Sequence, residues 1–292
     1  MSISPNPQVA KKMFGKTASI KMPQPYGSRS ETGLKRGVPS RYVFAAAALV
    51  FLSMVILSVL KRQHFDFALI HMINSMSDRS WLLDSAMRFI TLDMFSSLLL
   101  MTLVWYVWFD TEDIDEQAKI VAGVIVSYIA GGISRIIQLA FPAHPRPLHD
   151  LALHFRLPRG IDPSTLNKWS SFPSDHATVF FGLATTVFLV NRKLGQISFI
   201  LASGLIIARV YNGYHYPTDV IGGAALGILF VGLTQNLRHF WPFPKIVVAA
   251  TSRRPIFYAA AFYFCFGVTT LFEDYRTVGS GLIKILKAHL HS

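Results

Sequence analysis

Residues 42–60 read YVFAAAALVFLSMVILSVL, an uncharged run of 19 positions bounded by Arg41 and Lys61. Wound as an α-helix at about 1.5 Å per residue, it reaches roughly 28 Å, close to the ~30 Å hydrocarbon core of a bilayer. Outward from this run, charges divide the chain into six more: 94–109, 120–134, 176–191, 194–208, 220–237 and 255–272. The last two are nearly as long as the first. The middle four are shorter, and what bounds them is Asp93 with Asp110, Arg135, Asp175 and Arg209. A charge inside a membrane costs about 2.5–3.5 kcal/mol on insertion scales and ordinarily faces a bundle interior or a wet cavity. These residues are therefore candidates for chemistry, with snorkelling at the interface as the plainer alternative.

The composition agrees with a membrane. The 292 residues are 52% hydrophobic and only 15% charged, against roughly 25% charged in soluble domains. The expected fold is an all-α integral membrane protein with seven spans. A single Cys excludes an intramolecular disulfide framework and a thiolate metal cluster. The net charge of +12 would suit nucleic acid, but no helix-turn-helix or finger signature accompanies it. Much of the charge lies in residues 1–40, a polar stretch with Lys11, Lys12, Lys16, Lys21, Arg29, Lys35 and Arg36 that reads as a mostly disordered basic tail. No cleavable signal is expected, since Lys61 and Arg62 follow Leu60 where a small-residue cleavage site would stand. With spans alternating between faces, the tail gives the amino-terminal face the larger share of Lys and Arg, which places that end in the cytoplasm.

Between the first two runs, the moderately apolar stretches 67–76 and 81–90 are interrupted by Asp66, Asp78, Arg79, Asp84 and Arg88, a pattern that suits interfacial helices better than another span. The acidic group Asp110, Glu112, Asp113, Asp115 and Glu116 contains no set that closes a coordination shell. It reads as a solvated loop complementing a helix amino terminus.

Three segments carry candidate chemistry: Pro145-Arg146-Pro147; Ser171-Phe172-Pro173-Ser174-Asp175-His176; and Arg209-x5-His215-x3-Asp219. They fall after the third run, at the start of the fourth, and between the fifth and sixth, so all three share one face of the membrane. Arginine keeps its charge and offers five donors in a planar fork, so Arg146 and Arg209 suit the oxygens of a phosphoryl group. Ser174 is placed to cap the helix of the fourth run, whose amino-terminal N–H groups would then face an anion. Pro217 can open a helix with Asp219 in its first turn, near enough to hold one ring N–H of His215 and expose the other nitrogen as a nucleophile. His176 is the candidate general acid, a role worth about 10²–10⁴-fold. Each element alone has a plainer reading: a rigid loop at Arg146, a simple cap at Ser174, an interfacial hydrogen bond at His215 and Asp219. Only the combination is specific.

That combination resembles the type 2 phosphatidic acid phosphatase (PAP2) superfamily, whose pattern is Lys-x6-Arg-Pro, Pro-Ser-Gly-His and Ser-Arg-x5-His-x3-Asp. The resemblance covers roughly residues 41–237, a six-span core. It leaves 1–40 as a cytoplasmic tail, and 238–292 as an extra span followed by an amphipathic end with Lys284, Lys287, His289 and His291. It implies metal-independent and cofactor-free dephosphorylation of a membrane lipid phosphate. In that chemistry His215 becomes phosphorylated, Asp219 orients it, His176 is the general acid, and Arg146, Arg209 and Ser174 hold the phosphoryl group. The vanadium haloperoxidases share this pocket but are typically soluble, and the expected spans argue against that branch.

This sequence departs from the pattern at three positions. The first-motif lysine falls at Leu139, and Arg135, one turn earlier on the same helical face, is the substitute, with Lys168 and Arg159 as fallbacks. Asp175 stands in place of the motif glycine; a carboxylate there should repel phosphate unless it turns to the helix amino terminus or pairs with a cation. Ala208 replaces the third-motif serine, at a cost of ~1 kcal/mol in phosphate binding. The Pro-Ser-Asp-His form also resembles the bacitracin-resistance type of undecaprenyl diphosphatase. The favoured reading is hydrolysis of undecaprenyl diphosphate at the non-cytoplasmic face of a cell inner membrane. Phosphatidic acid or phosphatidylglycerophosphate hydrolysis, lipid phosphotransfer and a non-catalytic phospholipid binder are the alternatives.

Overall fold

The computed structural model describes residues 41–59, 64–140, 144–166, 170–236, 247–248 and 254–270. The tail 1–40, residues 271–292 with the end at 276–292 expected to be amphipathic, and Lys168 lie outside the described residues. The described residues of all seven uncharged runs fall on helices. They are α1 (Arg41–Val59), α4 (Asp93–Asp110), α5 (Ile114–Ala140), α6 (Asp175–Val190), α7 (Arg192–Tyr211), α8 (Pro217–Asn236) and α9 (Arg254–Thr269). The two stretches between the first runs are the short helices α2 (His64–Asn74) and α3 (Trp81–Ile90). No strand occurs among the described residues.

Helix ends differ from run ends, for a physical reason. α5 begins at Ile114 with Asp115 and Glu116 in its first turn, where carboxylates complement the helix dipole, and it continues past Arg135 to a length of 27 residues. Part of the expected acidic loop is thus the first turn of a helix. Likewise α7 carries Arg209 in its last turn and α8 carries Asp219 in its first. A charge stops a hydrophobic count without stopping a helix. Side-chain oxygens cap α3 through Ser80, α6 through Ser174 and α7 through Asn191.

Among the described residues, three helices, Ile114–Ala140, Arg192–Tyr211 and Pro217–Thr234, are long and apolar enough to cross a membrane, and Tyr42–Ser58, Ser97–Asp110 and Asp175–Val190 are shorter apolar helices. α6 is the centre of the bundle. It is buried along most of its length and packs against α5, α7 and α8; α1 lies on α8, and α9 on α4. The approach of α8 to α6 depends on Gly223 and Gly227, where an added Cβ would run into the carbonyls of Ser174 and Thr178. Small residues at such crossings let helix backbones come close without relying on a hydrophobic driving force. The closeness brings two helix amino termini side by side: the Ser174 N–H donates to the Asp219 carbonyl at 3.0 Å.

The α2–α3 hairpin turns polar residues inward and apolar ones outward. Asp66, Asn74, Ser77 and Asp84 are buried, while Phe65, Met72, Trp81, Leu82 and Phe89 are exposed. The amphipathic arrangement is the one expected of helices at a membrane interface. Asn74 pairs in both directions with the Arg156 backbone, and Asp84 accepts from the Arg159 N–H, so the hairpin holds the long connection between α5 and α6.

Candidate active site

The three motifs converge. Arg146 reaches in from the α5–α6 connection, Ser174, Asp175 and His176 stand at the start of α6, and Arg209 sits at the end of α7. His215 lies in the turn before α8, and Asp219 in its first turn. All are buried apart from Asp175, which is half-buried.

Arg146 is only 3% exposed. Its Nη1 donates to the Tyr214 carbonyl and faces His215 Nε2 at 3.3 Å; its Nη2 donates to the Ser170 carbonyl at 3.3 Å. Its Nε is buried with no hydrogen-bond partner. Burial lowers the pKa of this guanidinium, and the neighbouring charge of Arg209 lowers it further. Arg209 is also buried, with Nη2 donating to the Thr91 carbonyl at 3.4 Å. Two buried guanidiniums within electrostatic reach of each other make an environment that an anion would relieve.

His215 is held in a way that corrects the expected Asp219 hydrogen bond. Its Nδ1 lies 3.1 Å from the Ser171 carbonyl, which can only accept, so Nδ1 carries the proton and Nε2 presents a lone pair. The Asp219 carboxylate stands 3.7 Å from the same nitrogen, beyond hydrogen-bond distance. Its Oδ2 instead accepts the Tyr216 N–H at 2.7 Å. Asp219 is the third residue of α8, and the carboxylate at that position reaches back to the free N–H of the helix cap, satisfying a donor that would otherwise be orphaned. The His215 pKa is pushed well down, first by burial and then by the Arg146 guanidinium, so the ring rests neutral.

Asp175 turns to the helix amino terminus and to the neighbouring ring. Its Oδ1 accepts the His176 N–H at 2.9 Å and lies 2.9 Å from His176 Nδ1, so the carboxylate is engaged with a histidine. Ser174 accepts from the Ala177 N–H at 3.3 Å as the cap of α6.

One ligand atom each from Asp175, His176 and His215 lies within 4.8 Å of the others. Such a trio is also a donor set for a divalent cation. The charges of Arg146 and Arg209 reach the same imidazole and oppose a cation there, and they favour an anion.

Leu139 is 76% exposed and turned outward. Arg135 donates to Gln138 Oε1, and Gln138 Nε2 in turn donates to the Pro173 carbonyl at 2.6 Å, joined there by the Ser134 hydroxyl at 3.1 Å. Arg135 thus reaches the signature loop through Gln138, from behind. Arg159 is committed to Asp78 at 2.6 Å. The structure adds contributors absent from the motif reading: the carbonyls of Ser171, Tyr214 and Ser170, the pair Ser134 and Gln138, and Thr91. Backbone carbonyls leave no mark in a residue pattern. Gln138 and Ser134 do leave one, as buried polar residues near the end of a long and mostly apolar helix.

The fold is a helical bundle that gathers two buried guanidiniums and two buried histidines at one end. Its class comes from comparison with sequence relatives. The PAP2 superfamily model matches residues 118–242. Undecaprenyl-diphosphatase BcrC of Bacillus subtilis (strain 168) is 29% identical over 189 residues, 63% of this chain and 90% of that protein. The Escherichia coli (strain K12) protein YbjG is 30% identical over 170 residues, 57% of this chain and 79% of that protein. A crystal structure of a transmembrane PAP2 type phosphatidylglycerolphosphate phosphatase from Bacillus subtilis gives a TM-score of 0.49 at 21% identity, covering 68% of this chain and 96% of that one. The chain belongs to the PAP2 superfamily and is a membrane lipid phosphatase.

Proposed function

We propose that the protein removes the terminal phosphate of a long-chain isoprenoid diphosphate, undecaprenyl diphosphate first among them, at the non-cytoplasmic face of a cell inner membrane. The observation that carries the catalytic reading is the neutral His215 ring, with Nδ1 bonded to a carbonyl and Nε2 beside Arg146, whose buried Nε lacks a partner. The substrate class is supported by the Pro-Ser-Asp-His signature and by the name of the Bacillus subtilis relative.

In this reading Arg146, Arg209 and the amino terminus of α6 hold the phosphoryl oxygens. His215 Nε2 attacks the terminal phosphorus, the bridging P–O bond breaks, and the bond electrons leave with the lipid phosphate. His176 Nε2–H supplies a proton to the departing oxygen. The attack makes the His215 ring positive, and a carboxylate 3.7 Å away stabilises that state more than the neutral resting one. Water then attacks the phosphohistidine, His176 accepts its proton, inorganic phosphate leaves and both histidines are restored. No metal is needed for any step, so phosphate release should continue in EDTA, be blocked by vanadate and vanish in His215→Ala.

The substrate test uses the leaving group. A lipid phosphate departs with less acid assistance than the alkoxide-like oxygen of a phosphatidic acid. His176→Ala should therefore lose less kcat/KM on undecaprenyl diphosphate than on phosphatidic acid. Equal losses on the two would remove the support for a diphosphate. Label from ¹⁸O-water entering the released phosphate separates hydrolysis from transfer to another acceptor.

A further inference from the structure

α8 opens without a cap of its own. Tyr216 is the cap residue, since its carbonyl accepts the first helical bond, from the Val220 N–H at 3.2 Å, yet its side chain turns away and donates to Asp150 at 2.7 Å. Pro217 has no N–H to satisfy. The next donors, the Thr218 N–H and hydroxyl, are buried, and both are taken by a carboxylate from a different helix. Asp66 of α2 accepts the N–H on Oδ1 at 3.0 Å and the hydroxyl on Oδ2 at 2.6 Å. One turn further along α2, Ile70 is buried in a small cluster with Val210, Tyr216 and Leu153, which seats the helix that carries the carboxylate. Thr218 is flanked by the chemistry, with His215 three residues before it and Asp219 immediately after.

We infer that Asp66 is a positioning residue for the His215–Asp219 pair: an N-cap supplied from α2 fixes where α8 begins, and so sets the 3.7 Å spacing between the imidazole and the carboxylate. The two carboxylates divide one cap between them. Asp219 satisfies the Tyr216 N–H from inside the helix, and Asp66 satisfies Thr218 from outside. Without Asp66, the first turn of α8 would have to shift to find partners for two buried donors, and Asp219 would move with it. Asp66 lies outside residues 118–242, the part of the chain that the family model matches. The inference rests on the phosphohistidine reading above.

Purified full-length protein in detergent provides the test, with undecaprenyl diphosphate ³²P-labelled at the terminal phosphate and alkaline detergent quenching to trap phosphoenzyme, since the P–N bond of a phosphohistidine is labile in acid. Asp66→Ala should lower kcat and the rate of phosphoenzyme formation together, by about 10- to 100-fold as expected for slight misplacement of reacting groups, with KM within about twofold of wild type. Asp66→Asn should stay within about threefold, because its carbonyl can accept the Thr218 N–H and its amide can donate to the hydroxyl. A folded Asp66→Ala with wild-type kcat, a change confined to KM, or an Asp66→Asn as impaired as the alanine variant would each overturn the inference. Should Asp66→Ala not be recovered folded, Thr218→Val replaces it, and kcat must fall at least fivefold with KM unmoved. If wild type yields no trapped phosphoenzyme, the phosphohistidine reading fails, while the kcat split still judges Asp66.

Discussion

At His215 the local environment sets both the tautomer and the protonation state. Burial and the Arg146 guanidinium depress its pKa, so the neutral nucleophile persists as pH falls below the ordinary imidazole value of about 6.5. The acid limb of kcat/KM, which reports the free enzyme, should therefore lie below pH 6.5. A limb at or above that value in a pH–rate profile would mean that protonation of His215 does not set it. The same depression has a stability consequence. Below about pH 6.5 the unfolded chain binds a proton at this histidine that the folded one refuses, so stability should decline as pH falls through that range. The Ser171 carbonyl bears on Asp219. Where a carboxylate alone holds a catalytic imidazole in its tautomer, its amide variant loses about 10⁴-fold. Here a carbonyl holds the tautomer, so Asp219→Asn should lose clearly less than that in kcat, and a full 10⁴-fold loss would reinstate the direct hydrogen bond. Arg135→Ala should slow turnover through slackening of Gln138 and the Pro173 carbonyl, and Gln138→Leu should reproduce much of that loss. If only the arginine variant is affected, Arg135 acts on the phosphate itself.

At the scale of helices, the site is assembled from ends: the starts of α6 and α8 and the finish of α7. Those ends were where the hydrophobic runs stopped, and the reason is the same in each case. Donors and charges that would be costly in the middle of a span are tolerable at its terminus, where the backbone has unpaired groups and the dipole is felt. The register between α6 and α8 is enforced by Gly223 and Gly227. Gly227→Ala would drive a methyl into the Thr178 carbonyl, a backbone group that cannot swing aside. A loss of about 1–3 kcal/mol is expected, visible as a lowered Tm in detergent and accompanied by reduced activity as the two amino termini part. An unchanged Tm would mean that α8 tilts freely against α6. The structure brings the residues of the motif reading together at these ends. The motif reading missed Ser134, Gln138 and Asp66, because their roles depend on which helix lies opposite.

For the molecule as a whole, the motifs share one end of the bundle, and the proposed orientation, which follows the Lys and Arg bias of the sequence, turns this end away from the cytoplasm. With the free Cys265 replaced by Ser, a cysteine at exposed Arg159 should react with a membrane-impermeant maleimide in intact cells, whereas one at exposed Glu112 should react only after permeabilisation. The reverse pattern would turn the site to the cytoplasm. α9 rests on α4 through Phe257 against Trp108 at 5.3 Å, with a partly open apolar cleft between α4, α5 and α9. These contacts involve α4 and α5 residues well removed in sequence from the site-bearing ends.

The chain's order of apolar runs and charges was enough to establish a helical membrane bundle, because crossing a hydrocarbon layer demands an unbroken backbone ladder and little else from the side chains. The motif spacings were enough to name the residues that meet, since each lies at a helix end on the same face. How they meet belonged to tertiary contacts. The choice of the Ser171 carbonyl over Asp219, the engagement of Asp175 with His176, and the capping of α8 by a carboxylate more than 150 positions earlier all depend on which buried donor finds which acceptor when helices close. That pairing is settled by the cost of leaving such groups unsatisfied, and the cost appears only once the bundle has formed.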